Sequence, residues 1–123
     1  MNLVHYWEDA KNIDEPGLAL LWATAALARA AFCHDKGRKE EAPDCLILTK
    51  MYLDRFREMP RAYIEPGAPE DALNTIAAHI DGAIVCYRRN DFAQARRAVA
   101  LATDELTRFF WLISWNTSRQ PAM

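Results

Sequence analysis

The residues with the clearest capacity for chemistry lie between Arg29 and Cys45, in the segment RAAFCHDKGRKEEAPDC. An arginine and a histidine could together act on a phosphodiester, because an imidazole transfers protons near neutral pH and a guanidinium binds phosphate. Cysteine and histidine side chains could instead bind zinc. The third interpretation, a helix end followed by a charged loop, needs neither chemistry.

Arg29 and His34 resemble the Arg-x(4–6)-His motif of the HEPN ribonucleases, small helical proteins in which these two residue types act on the RNA backbone. The resemblance implies a ribonuclease with Arg29 and His34 as its catalytic residues. A motif this short is expected about 0.5 times by chance in this chain. On a helix, five residues rotate a side chain by about 500°, which leaves the two residues about 140° apart. We therefore keep the ribonuclease as the alternative function and expect no enzyme.

The histidines and cysteines do not have the spacing of a metal site. Cys33 and His34 are adjacent and point to different sides of a helix, while His79 and Cys86 are separated by a rise of about 10.5 Å. A composite site that also included Cys45 would depend wholly on the tertiary fold. We expect no metal and no cofactor.

Composition indicates one soluble domain over residues 1–123, with 51% hydrophobic and 26% charged residues. A net charge of −2 gives no general attraction to nucleic acid or to an anionic membrane, so neither is an expected partner. Three cysteines without a secretion signal indicate reduced thiols and a cytoplasmic location. The longest apolar run, residues 18–33, is shorter than the roughly 20 residues that cross a bilayer.

Proline, glycine and capping residues divide the chain into helices, and no segment alternates with the period of a strand. The spacing predicts a compact, all-α, up-and-down bundle of four main helices with a short N-terminal helix. The expected segments are a short helix within 1–13, main helices at about 16–34, 43–59, 69–87 and 92–115, and a flexible tail at 116–123.

The first and last main helices carry more apolar surface than one core face needs. Residues 18–33 are apolar nearly all round, which predicts a central or closely sandwiched helix. The last main helix has a core face of its own and a second, aromatic face on nearly the opposite side. Its expected core residues are Phe92, Ala95, Val99, Ala102, Leu106, Phe109 and Ile113.

The aromatic face of the last helix is the predicted partner interface, since tryptophan and arginine are enriched at binding hot spots. Its residues are Trp111, Trp115, Leu101, Leu112 and Arg108. The cover could be the N-terminal segment of the same chain, which carries Leu3, Tyr6 and Trp7, or another protein chain. A homodimer is the simplest version, and it leaves room for a hetero-partner.

A second possible surface is the group Arg88, Arg89, Arg96 and Arg97 around the last turn. These residues form either a solvated turn or a patch for an acidic partner or a phosphate. Taken together, the sequence predicts a non-enzymatic protein–protein interaction module, such as a small adaptor, inhibitor, immunity-type or regulatory protein.

Overall fold

The computed structural model describes residues 16–58 and 68–119. These residues form four α-helices and one short 3-10 helix, Lys39–Glu41, and contain no strand. The α-helices are α1 (Pro16–Asp35), α2 (Ala42–Glu58), α3 (Ala68–Arg88) and α4 (Phe92–Arg119). The predicted all-α class is confirmed, whereas the short N-terminal helix expected within residues 1–13 lies outside the described residues.

Local sequence explains where α1 ends. Gly37 has a φ of 80°, in the left-handed region that glycine enters without a steric penalty. This turn lets the backbone amide of Arg38 donate to the carbonyl of Cys33 at 2.7 Å, which closes the C-terminus of the helix. The predicted stop before Gly37 is confirmed.

The turn between α3 and α4 is equally well defined by its residues. Asn90 has a φ of 60°, and Asp91 caps α4 by accepting the backbone amide of Gln94 at 3.4 Å on its Oδ1. The helix then continues to Arg119 rather than ending near Trp115. Residues 116–119, which the sequence assigned to a tail, are therefore helical.

The four helices pack in the up-and-down order. α1 packs mainly on α2 and α3 mainly on α4, while α1 also contacts α4 and α2 has a smaller contact with α3. In an up-and-down bundle the end of α1 lies at the same end of the bundle as the end of α3 and the start of α4. Two side-chain contacts show this arrangement. These are His34 with Tyr87, and Asp35 with Arg96.

One continuous core fills the space between the helices. Its aromatic centre includes Phe56 and Phe109, whose rings meet edge to face with centroids 5.8 Å apart. The predicted core faces are largely confirmed in α3 and α4, where buried residues recur every three or four positions. These are Leu73, Ile76, Ile80, Ala83, Ile84 and Tyr87 in α3, and Ala95, Val99, Ala102, Leu106 and Phe109 in α4.

Candidate functional site

Four of the seven large hydrophobic side chains that are exposed among the described residues lie on the solvent side of α1. Seven residues on this side recur at helical spacing along the whole helix and are exposed, and six of them are apolar. Arg29 is the one charged member. We call this surface the outer face; it consists of Leu18, Leu21, Trp22, Ala25, Ala28, Arg29 and Phe32.

The prediction that α1 is central or sandwiched is wrong. Its opposite side is buried against α2 and α4, with Ala19, Leu20 and Ala23 fully buried. The outer side remains in contact with solvent, with Leu21 52% and Phe32 51% exposed. An all-round apolar helix has no polar side to mark where solvent begins, so composition did not reveal that α1 occupies a corner of the bundle.

The predicted interface on α4 is exposed where its side chains are described. Trp111 is 66% exposed and Leu101 is 45% exposed, while Arg108 pairs with Glu105 at 3.1 Å on the same helix. The side chains of Leu112 and Trp115 lie outside the part of the chain that the structure describes.

Trp111 lies at the same height in the bundle as Leu21 of the outer face. The ion pair between Asp35 and Arg96 fixes the relative height of the two antiparallel helices. Leu21 is 14 residues from Asp35, and Trp111 is 15 residues from Arg96 in the same direction. At about 1.5 Å per residue, both side chains therefore lie roughly 21 to 23 Å below the ion pair. The outer face and Trp111 are thus exposed at the same level on two helices that contact each other.

Arg29 and His34 do not converge. α1 is continuous from Pro16 to Asp35, so the rotation of about 140° between the two side chains is preserved. The Nδ1 atom of His34 is 2.6 Å from the hydroxyl oxygen of Tyr87, on the side that faces α3. Arg29 lies on the exposed side, and its charge acts on Cys45 of α2. This arrangement gives no support to the ribonuclease alternative.

The contacts of His34 are those of a packed helix end. Burial lowers the pKa of His34 below its ordinary value of 6.5, and the charge of Lys39 lowers it further. Burial also raises the pKa of Tyr87 to about 12. The ring of Tyr87 meets the ring of His34 edge-on at 5.7 Å, so the contact combines a hydrogen bond with aromatic packing.

The three cysteines are free thiols, with Cys33 and Cys45 buried and Cys86 half-buried. Burial raises the pKa of Cys45 to about 11, and the neighbouring Cys33 thiol adds to the effect. Cys33 and Cys45 thus pack as small apolar residues. Within residues 16–58 and 68–119, no group of three or more histidines, cysteines or acids is placed to hold a metal ion.

The four arginines of the predicted anion patch do not form one surface. Arg96 donates two hydrogen bonds to the carboxylate of Asp35, at 3.0 and 3.2 Å, on the α1 side of the bundle. Arg88 lines a groove between α2 and α3 instead. Arg89 and Arg97 are exposed.

The groove between α2 and α3 has a volume of about 430 Å³. It is open to solvent and is crossed by an ion pair from Lys50 to Asp81 at 2.6 Å. The charges of its two cationic and two acidic side chains cancel, so the groove has no net charge that would attract an ionic ligand. The lining residues are Ile47, Lys50, Met51, Asp54, Asp81, Ile84, Val85 and Arg88.

Among the described helices, α1 alone is long and apolar enough to cross a membrane by length and composition. Residues Gly17–Asp35 have a mean hydropathy of 1.3, and 39% of the apolar window is buried inside the bundle. A core helix of a soluble protein passes the same test, so hydropathy by itself does not assign α1 to a membrane.

Comparison of the chain with protein-family models, with curated proteins and with solved structures found no match.

Proposed function

We propose that this protein is a non-enzymatic protein-binding module that docks a protein partner on the outer face of α1 and on Trp111 of α4. The observation that carries the proposal is the exposed apolar stripe along the length of α1. An adaptor, an inhibitor, an immunity-type protein and a small regulator all work by such docking.

The extent of the stripe favours a binding surface over scattered surface residues. Single exposed hydrophobic residues are ordinary, but contiguous apolar patches of several hundred Å² mark interaction sites on soluble proteins. Between Pro16 and His34, Arg29 is the one charged residue in α1. The stripe has large side chains at both ends, Leu18 and Trp22 near the start and Phe32 near the end, with small alanines between them. A helix from a partner protein fits this shape, since large side chains flank a shallow central groove.

A protein partner is favoured over a lipid surface by the other half of α1. Leu20, Leu27 and Ala30 are almost fully buried in the core, so insertion of α1 across a bilayer would dismantle the bundle. An interfacial membrane helix carries a row of lysines and arginines along its polar face. The buried half of α1 is apolar instead.

The test is affinity capture with matched variants, in extracts of the cells that naturally make this protein. The variant Leu21→Glu/Phe32→Glu places charge on the outer face, and Val85→Glu is its control, since Val85 is 41% exposed on α3. We expect at least one protein to bind wild type and Val85→Glu and to be lost from the double variant. That protein should then bind the purified wild type with fixed stoichiometry. Equal capture by all three proteins would contradict the proposal.

The ribonuclease alternative is tested separately by incubation with total RNA. We expect the same RNA profile for wild type, His34→Ala and buffer alone. Cleavage by wild type that disappears in His34→Ala would establish the enzyme instead.

A further inference from the structure

We infer that the partner docked on the outer face is a second copy of this chain, with its α1 antiparallel to the first α1 and the twofold axis passing near Ala25. The inference rests on the proposed function, because it identifies the occupant of the same surface. In this arrangement residues whose numbers add to about 50 face each other across the axis. Three observations support it: the order of large and small side chains, the position of Arg29, and the available area.

The order of side-chain sizes along the stripe is complementary to itself when reversed. The antiparallel arrangement places Trp22 of one copy opposite the small Ala28 of the other, and Leu18 opposite Phe32. Ala25 meets its own counterpart at the axis, where small residues allow helices to approach to about 8 Å. A parallel arrangement would instead oppose Trp22 with Trp22 and leave Ala25 and Ala28 opposite their own counterparts. The antiparallel order therefore fills the interface more evenly.

The single charged residue in the stripe, Arg29, favours the antiparallel orientation. Parallel helices would place the two Arg29 side chains at the same height. In the antiparallel pair each Arg29 lies four residues from the axis, so the two are separated along the axis by about 12 Å. Each Arg29 then lies opposite the aliphatic side chain of Leu21, and the two guanidinium charges stay apart.

The area is sufficient only if α4 takes part. A face about 30 Å long and one helix wide gives about 300 Å² per copy, which is below the size of stable interfaces. Adding the neighbouring α4, with Trp111 at the height of Leu21, doubles this to about 600 Å² per copy and about 1,200 Å² in total. That value lies at the lower limit of specific interfaces, which predicts a dimer that dissociates on dilution.

Sedimentation equilibrium over a wide concentration range tests the association. We expect wild type and Val85→Glu to reach twice the chain mass of 14.1 kDa at high concentration. In Ala25→Glu the dimer dissociation constant should rise about tenfold or more, because the twofold axis would place the two like-charged carboxylates against each other in the apolar interface. Circular dichroism of each variant checks that the bundle remains folded.

Cross-linking tests the orientation. The variants Leu18→Cys and Phe32→Cys are prepared separately and treated with a short bismaleimide, alone and after mixing. Identical residues lie about 21 Å apart in the antiparallel dimer, so each variant alone should give no dimer beyond the wild-type background. The mixture should give a covalent dimer, since residues 18 and 32 face each other across the axis. Cross-linking of each variant alone, without an increase on mixing, would overturn the antiparallel arrangement.

The remaining outcomes separate this inference from the proposed function. A wild type that stays monomeric at all concentrations would overturn the second copy as the occupant, whereas capture of a different protein through the outer face would leave the proposed function standing. Flotation of the purified protein with vesicles of neutral and anionic phospholipid, abolished in Leu21→Glu/Phe32→Glu, would overturn both and assign the face to lipid. Failure of the association, capture and flotation experiments together would also overturn both.

Discussion

α1 and α3 are helices of nearly equal length, 20 and 21 residues, and both bury one side in the same core. They differ on the solvent side. The exposed residues of α3 are mostly polar or small, with Val85 as the large apolar exception. They are Asp71, Asn74, Thr75, Ala78, Asp81, Gly82, Val85 and Arg88. The exposed side of α1 carries Leu18, Leu21, Trp22 and Phe32 instead.

Packing among residues 16–58 and 68–119 accounts for α3 and leaves the outer half of α1 uncovered. A helix at the edge of a bundle needs one apolar stripe to join the core, and polar residues elsewhere keep it soluble. α1 has that stripe on its buried side, so the core does not require the outer face. Leucine, tryptophan and phenylalanine on a solvent face favour association, and association is therefore the physical use we assign to them.

The sharpest test of the two sides of α1 compares adjacent leucines. Leu20 is fully buried and Leu21 is 52% exposed. We expect Leu20→Ala to lower the free energy of unfolding by about 2 to 5 kcal/mol, because it leaves a cavity in the core. Leu21→Ala should lower it by about 0.5 kcal/mol or less when the protein is dilute. Urea denaturation monitored by circular dichroism measures both, and equal losses would show that the two sides of α1 do not differ in this way.

The C-terminal end of α1 gives a prediction about how the free energy of unfolding depends on pH. His34 faces Tyr87, and burial lowers its pKa below 6.5 in the folded state. The unfolded chain therefore takes up this proton at higher pH than the folded chain does. The free energy of unfolding should be independent of this group above about pH 6.5 and should fall as the pH decreases below that value.

The control for this pH dependence is His34→Gln, which cannot take up the proton. Urea denaturation between pH 7 and pH 5 should show a smaller loss of stability for His34→Gln than for wild type. Phe32→Gln, on the outer face of the same turn, should retain the wild-type slope. An unchanged slope in His34→Gln would rule out His34 as the source.

The smallest expected effect is a difference in thiol reactivity between the buried Cys45 and the half-buried Cys86. Cys45 is fully buried, and burial raises its pKa to about 11, so only about 0.1% of the buried thiol is thiolate at pH 8. Maleimide should label the half-buried Cys86 before Cys45 in the folded protein. Mass spectrometry of peptides after timed labelling checks the order. Rapid labelling of Cys45 would show that α1 opens readily from α2.

The sequence predicted the bundle because the signals of its helices are local. Gly37 and the Asp91–Gln94 cap mark helix boundaries through their own backbone geometry, and the stripes of α3 and α4 repeat at helical spacing. The position of α1 in the bundle is a tertiary property. An apolar run such as residues 18–33 is compatible with both a central and a corner position, so the expected burial was wrong.

A pattern inside that run does carry information about the outer face. The larger exposed side chains fall at 18, 21, 22 and 32, and alanines occupy 25 and 28 at the same spacing. The pattern emerges once the fully buried alanines at 19, 23 and 30 identify the opposite side. The sequence placed the interface on Trp111 of α4 and missed the outer face of α1.

Protection of the outer face in the cell tests the central claim most directly. Phe32→Cys and Val85→Cys are compared by labelling with a membrane-permeant maleimide in cells that naturally make the protein, and again after purification and dilution. We predict that both thiols react rapidly in the dilute protein and that residue 32 alone is protected in the cell. Equal labelling of the two positions in the cell would show that α1 carries its apolar face uncovered, which contradicts the account.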